Sequence, residues 1–155
     1  MRKQFAIVMF LILSIVSCNK SDEAGNRLLS LQNMTTDAYD ILNNNYLNVQ
    51  KGIITEKEAQ QKSLREITFI KDKYYRDNDF AIIDNKGNLV FGTYGIKSEN
   101  ARLFASKTFF AEITGKMKND STGYLFINGE NNGDIAINIK QFGKWDLLIV
   151  SIGKK

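Results

Sequence analysis

Asp134-Ile135-Ala136-Ile137-Asn138-Ile139-Lys140 alternates apolar and polar residues through nearly its whole length. Successive side chains of an extended strand point to opposite faces. Ile135, Ile137 and Ile139 therefore share one face, and Asp134, Ala136, Asn138 and Lys140 the other. The isoleucine face is expected to pack on helices and the other to look toward solvent or a polar-lined pocket. After a turn at Phe142-Gly143-Lys144, the stretch Trp145 to Ile152 is apolar on both faces over most of its length. That is the pattern of a central strand covered on both sides.

The neighbouring segments fit around this pair. Thr122 to Asn128 makes a third strand of the same meander, joined through Gly129-Glu130-Asn131-Asn132-Gly133. Upstream, Asp79 to Asp84 and Asn88 to Tyr94 flank the turn Asn85-Lys86-Gly87 and read as a hairpin. Between hairpin and meander, Ser106 suits the cap of a short helix, Lys107 to Met117, that presents Phe109, Phe110 and Ile113. This helix and residues 94–106 are the available cover for the second face of the sheet.

Two helices precede every strand. From Asn26 to Gln50 the residues Leu28, Leu31, Met34, Ala38, Ile41, Leu42, Tyr46 and Val49 recur in steps of three and four, one stripe on one side of a helix. Gly52 suits the left-handed residue after it. Thr55-Glu56-Lys57-Glu58 is a capping box opening a second helix, with Ala59, Ser63, Ile67 and Ile70 on one face. The expected architecture is α+β: two helices on a five-stranded antiparallel sheet, with a short helix on the other face.

The N-terminus sets the compartment. Arg2 and Lys3 precede Phe5 to Val16, an apolar run broken only by Ser14 and too short to cross a bilayer as a permanent helix. Ile15-Val16-Ser17-Cys18 resembles a lipobox, where bacterial lipoprotein precursors are lipidated on cysteine and cleaved before it. Cys18 is the sole cysteine of the chain. The expected layout is a signal peptide over 1–17, a lipidated tether over 18–26 and one domain over 27–155, in the bacterial cell envelope. An uncleaved N-terminal anchor, or an ordinary signal peptide with a chance cysteine, are the alternatives. The polar stretch Lys20-Ser21-Asp22-Glu23 cannot bury apolar surface and suits a flexible spacer; it also resembles short acidic tags of surface-exposed lipoproteins.

Composition narrows the chemistry. Without residues 1–17 the chain has 138 residues, enough for one domain with a core of its own. The formal charge of +4 includes Arg2 and Lys3; 19 basic against 17 acidic residues remain, too balanced to indicate nucleic acid. There is no histidine, which removes the commonest general base and zinc ligand. Lipidation would consume the only thiol, so Cys-His and Ser-His-Asp sets are excluded. Ser-Lys and paired-carboxylate sets remain formally open, but nothing singles one out. Binding without a cofactor, rather than catalysis, is the expectation.

The assembled motifs resemble single Cache domains, a family of extracytoplasmic PAS-like sensors. Gly52 to Ala59 is similar to the family's G-x-x-T-x-x-E-A lead-in to its second helix. Tyr74-Tyr75-Arg76 followed by Phe80 to Gly87 is similar to its Tyr-containing segment and aromatic-x-hydrophobic-x-Asp-x-x-Gly hairpin. Phe142 to Trp145 and Ile152-Gly153 match its closing aromatic, turn and Trp-led strand. The similarity spans about residues 27 to 153. Phe91-Gly92 stands where the family usually has His-Pro, Asn138 where it often has Tyr, and the segment between the third helix and the last strand is short. The resemblance implies a small ligand, often an organic acid or amino acid, held between the sheet and the loops and short helix covering it. Family members commonly continue into a second membrane span and a cytoplasmic module; a chain ending at Lys154-Lys155 is expected to lack both, and so to act through a signalling partner.

Candidate ligand contacts follow from chemistry. Asn138 and Lys140 share the polar strand face and can both donate to a carboxylate, unless that face is merely solvated. Arg76 is a candidate anion clamp, or else completes a helix C-terminus. Tyr75, Phe91, Tyr94 and Tyr124 are candidate pocket walls, each also readable as plain core. Trp145 is read as a packing anchor and Asp84 as a turn residue. The second functional reading keeps the fold without a ligand: a docking or dimerisation domain, its long first helix pairing with a copy of itself.

Overall fold

The computed structural model describes residues 2–92, 106–117, 121–127 and 135–154, with side-chain environments from residue 25 onward. Its elements, in chain order, are α1 (Arg2–Gln50), α2 (Glu56–Tyr74), β1 (Asp79–Asp84), β2 (Leu89–Gly92), α3 (Lys107–Lys116), β3 (Thr122–Ile127), β4 (Ile135–Phe142) and β5 (Leu147–Lys154). The strands form one antiparallel sheet in the order β2-β1-β5-β4-β3. This is the expected α+β arrangement, with β5 in the middle.

Helix α1 is longer than its apolar stripe predicts. Its backbone stays helical from Arg2, so residues 18–26, expected as a flexible spacer, are helical here. No proline interrupts the segment, and once the turns over 28–49 are packed, each added residue costs little beyond the nucleus already formed. Among the described residues no helix is long and apolar enough to cross a membrane. Gly52 takes φ +67° and reverses the chain. The Thr55 side chain then accepts from the Glu58 N–H while the Glu58 carboxylate accepts from the Thr55 N–H at 2.8 Å, the predicted capping box.

Side-chain alternation divides the core into two layers. Met34, Ala38 and Leu42 of α1 and Ile67 of α2 meet Phe80, Ile82, Phe142 and Ile149 on one face of the sheet. Phe109, Ile113 and Met117, from α3 and its C-cap, meet Ala81, Ile83, Ile137, Ile139, Leu148, Val150 and Ile152 on the other. Burying each such isoleucine or phenylalanine contributes about 1.5–3 kcal/mol. On β5, residues 147 to 152 alternate between the layers, which is why both of its faces are apolar.

The two layers differ in polarity. Thr35, Asn45, Ser63, Lys71, Asn138 and Ser151 are the buried polar residues described, and all lie on the α1/α2 side. Each is satisfied locally: the Ser151 hydroxyl donates to the Leu31 carbonyl at 2.9 Å, and Asn45 Nδ2 to the Glu66 carboxylate at 2.9 Å. The hairpin turn is held by Asp84, whose carboxylate accepts from the Lys86 and Asn88 N–H groups at 2.9 and 2.8 Å and from the Asn88 amide at 2.8 Å. Gly87 at φ +86° lies flat against Phe110 of α3.

Candidate functional site

The layer between the sheet and α3 is built from the strands outward. Leu125 and Ile127 of β3, and Ile135, Ile137 and Ile139 of β4, present one apolar face, continued by Val150 and Ile152 of β5 and by Ala81 and Ile83 of β1. Ser106 caps α3 by accepting from the Phe109 N–H, which sets the helix with Phe109 and Ile113 inward, 2% and 0% exposed. The buried residues described in this layer are all apolar, and Phe109, Ile113 and Met117 pack directly on the isoleucines of β1, β4 and β5, so the described part of the layer is closely filled.

Placing Asn138 and Lys140 on an open face is therefore corrected: the isoleucine face of β4 meets α3, and the polar face lies under α1. Asn138 is 3% exposed. Its Oδ1 accepts from the Thr35 hydroxyl, and its Nδ2 donates to the Gly123 carbonyl at 3.4 Å. Lys140 stacks its ammonium 4.5 Å from the centre of the Tyr39 ring on α1, a cation–π contact. The alternation that groups Asn138 with Lys140 is correct. What it does not carry is which helix layer covers which face, because α1 brings a buried hydroxyl to meet the amide.

The other candidates do not converge. Tyr75 ends α2, packs against the α1/α2 layer and donates its hydroxyl to the Asp37 carboxylate at 2.6 Å. Burial, then the Asp37 hydrogen bond and charge, pushes its phenol above the ordinary value. Arg76 is exposed and its Nε donates to the Asp72 carbonyl at 2.7 Å, completing the helix C-terminus. Phe91 packs edge-on to Phe80 with centroids 6.4 Å apart, in the same layer as Tyr75. Tyr124 faces α1, next to Leu28 and Leu29, and its phenol is raised by burial. Tyr94 lies outside the described residues, as does the side chain of Cys18. Trp145 packs edge-on to Tyr46 and Phe142, at 5.9 and 5.3 Å, as an anchor should.

Sequence reasoning did not assign Phe109, Ile113, Met117, Ile137 and Ile139 to the candidate site. The signal was present in the apolar run of the short helix and the triple isoleucine of β4; pairing the two needed the third dimension.

No protein-family model matches the sequence, and no curated protein does. Solved structures do. A periplasmic sensor domain of a chemotaxis protein superposes with a TM-score of 0.64 at 14% identity, over 83% of this chain and 94% of that one. A Cache chemosensory domain studied for its recognition of carboxylic acids superposes with a TM-score of 0.60 at 18% identity, over 86% of this chain and 97% of that one. At such identities the likeness is one of fold. The chain has the fold of a single Cache-type sensor domain.

Proposed function

We propose that this protein is a lipid-anchored extracytoplasmic sensor domain that binds a small organic molecule, a carboxylic acid or amino acid, between the sheet and α3. The observation that carries the reading is the near-complete superposition on two chemosensory domains, one of which recognises carboxylic acids. The α3 layer has the apolar chemistry such a site uses, since small-molecule sites are mostly apolar with few polar anchors, and a ligand would enter it by displacing Phe109 or Met117. A lipid on Cys18 carries no signal through a membrane by itself, and a signalling partner protein is the proposed relay of occupancy.

The test is a thermal-shift screen of the purified protein against small carboxylates and amino acids. Ligand at a hundredfold excess over its Kd stabilises by about 2.7 kcal/mol. At about 3 °C per kcal/mol for a domain of this size, that is a rise of about 8 °C. A flat response across the panel would sink the reading.

One observation favours a second reading. Phe109, Ile113 and Met117 already fill the layer beneath α3, as expected of a ligand-free domain used for docking or dimerisation. A flat thermal response together with a concentration-dependent dimer in sedimentation would support that alternative.

A further inference from the structure

The strand ends fix which end of the domain α1 leaves. Ile127 pairs with Ile135, and Ile135 with Lys154. Over this end pack the α1 residues just after position 25: the Asn78 amide donates to the Ser30 hydroxyl at 3.0 Å, and Leu31 lies against Gly153. Tyr39 and Tyr46 of the same helix pack on Phe142 at the far end. The helix therefore runs along the strands and projects toward its N-terminus from the Ile127–Ile135 end.

At that end lies a groove of about 350 Å³ between α1 and the edge strand β3, lined by Gly25, Leu28, Leu29, Gln32, Tyr124 and Phe126. None of the six is charged. Leu29 and Phe126 are each 53% exposed, large apolar side chains held out to the surroundings by packed elements. Exposed apolar surface that adjoins the point where a chain leaves its domain calls for an occupant.

The length of chain identifies that occupant. Gly25 stands only seven positions after Cys18. The α1 backbone is helical across them, a rise of about 10 Å. The headgroup layer of a bilayer is about 5–8 Å deep, so a chain held at a membrane by residues 1–18 brings this groove to the membrane–water interface. An aromatic ring, a phenol and two leucines, without charge, are what that interface accepts.

We propose that the groove of Leu28, Leu29, Tyr124 and Phe126 is a membrane-contact surface, seated on the bilayer that holds the N-terminus. It rests on the reading that the N-terminus is a membrane anchor, and adds that the folded domain itself touches lipid in a set orientation. The α3 layer and the hairpin are then held beside the membrane rather than free to tumble on a tether.

The experiment places one fluorophore at a time on the full chain, as Phe126→Cys, Leu29→Cys or Ile53→Cys. Ile53 is 65% exposed in the turn after α1, about 35 Å along the helix from Leu29. The labelled proteins are reconstituted into phosphatidylcholine–phosphatidylglycerol vesicles with and without doxyl-labelled lipid. A contact buried about 5–10 Å into the interface should lose about half of its emission to doxyl quenching at positions 126 and 29, and none at position 53. Equal, negligible quenching at all three positions overturns the proposal. So does protection of positions 126 and 29 from both doxyl lipid and aqueous iodide, the result if a second copy of the chain covers the groove. The mass of each purified chain reports separately whether Cys18 carries lipid. If it does not, the lipoprotein reading falls, and the same three probes in a Cys18→Ser background still decide the surface.

Discussion

Replacing Thr35 by valine keeps the shape of the side chain and removes its hydroxyl. In the folded protein that hydroxyl meets the carbonyl of Asn138, a residue 3% exposed whose remaining bond, to Gly123, is a long 3.4 Å. Thr35→Val leaves that carbonyl buried without a donor, at a cost of about 2 kcal/mol. Asn138→Leu is milder, because the freed hydroxyl can turn to the Gln32 or Leu31 carbonyl, at 3.0 and 3.3 Å; about 1 kcal/mol is expected. The double variant replaces both partners by apolar groups and should recover most of the loss, giving a coupling of about 1–2 kcal/mol. Urea unfolding followed by Trp145, the only tryptophan, measures each corner of the cycle. With a slope near 2 kcal/mol/M, Thr35→Val should move the midpoint down by about 1 M. Strict additivity, or a neutral Thr35→Val, would show that Asn138 reaches water or ligand and that α1 does not seal this face.

Other expectations follow from the α3 side and from titration. Ile113→Ala opens a cavity under α3 and should cost about 2–4 kcal/mol in the same assay. Gly87→Ala should cost about 1–2 kcal/mol, because the position has φ +86° and the new Cβ would lie 3.0 Å from the Phe110 ring. Tyr75 has its phenol raised by burial and by Asp37, so its contribution is complete below the ordinary value of 10.0 and is lost as pH rises above it. The stability gap between the native protein and Tyr75→Phe should be constant at neutral pH and narrow above pH 10 in pH-dependent melts. Asp84 is the opposite case: the Asn88 side chain and N–H, and then the Lys86 N–H, hold its carboxyl below the ordinary 3.8. Its contribution is present above that value and disappears as pH falls below it, a limb that Asp84→Asn should lack.

Elements governed by local chemistry were legible in the sequence. The Thr55 capping box, the Ser106 cap, the Asp84 turn and the left-handed Gly52 are decided by residues within four positions, and all stand where expected. The central place of β5 was legible as well, since only a strand buried twice can carry Leu147 to Val150 without a polar residue. The assignment of layers to faces was not. Asn138 looks like a residue facing solvent or a pocket until Thr35, more than a hundred positions away, is brought over it. The start of α1 escaped for a different reason. The stripe that marks a helix is a record of burial, and the apolar spacing that begins at Leu28 does not continue through the polar residues 19–23.

The central claim, a ligand held between the sheet and α3, is tested most directly by isoleucine methyl NMR during titration with the carboxylate that gives the largest thermal shift. Ile83, Ile113, Ile137, Ile139 and Ile152 report the α3 layer, and Ile67, Ile82 and Ile149 the α1/α2 layer. The account predicts saturable shifts confined to the first group. Shifts confined to the second group, or absent from both, would contradict it.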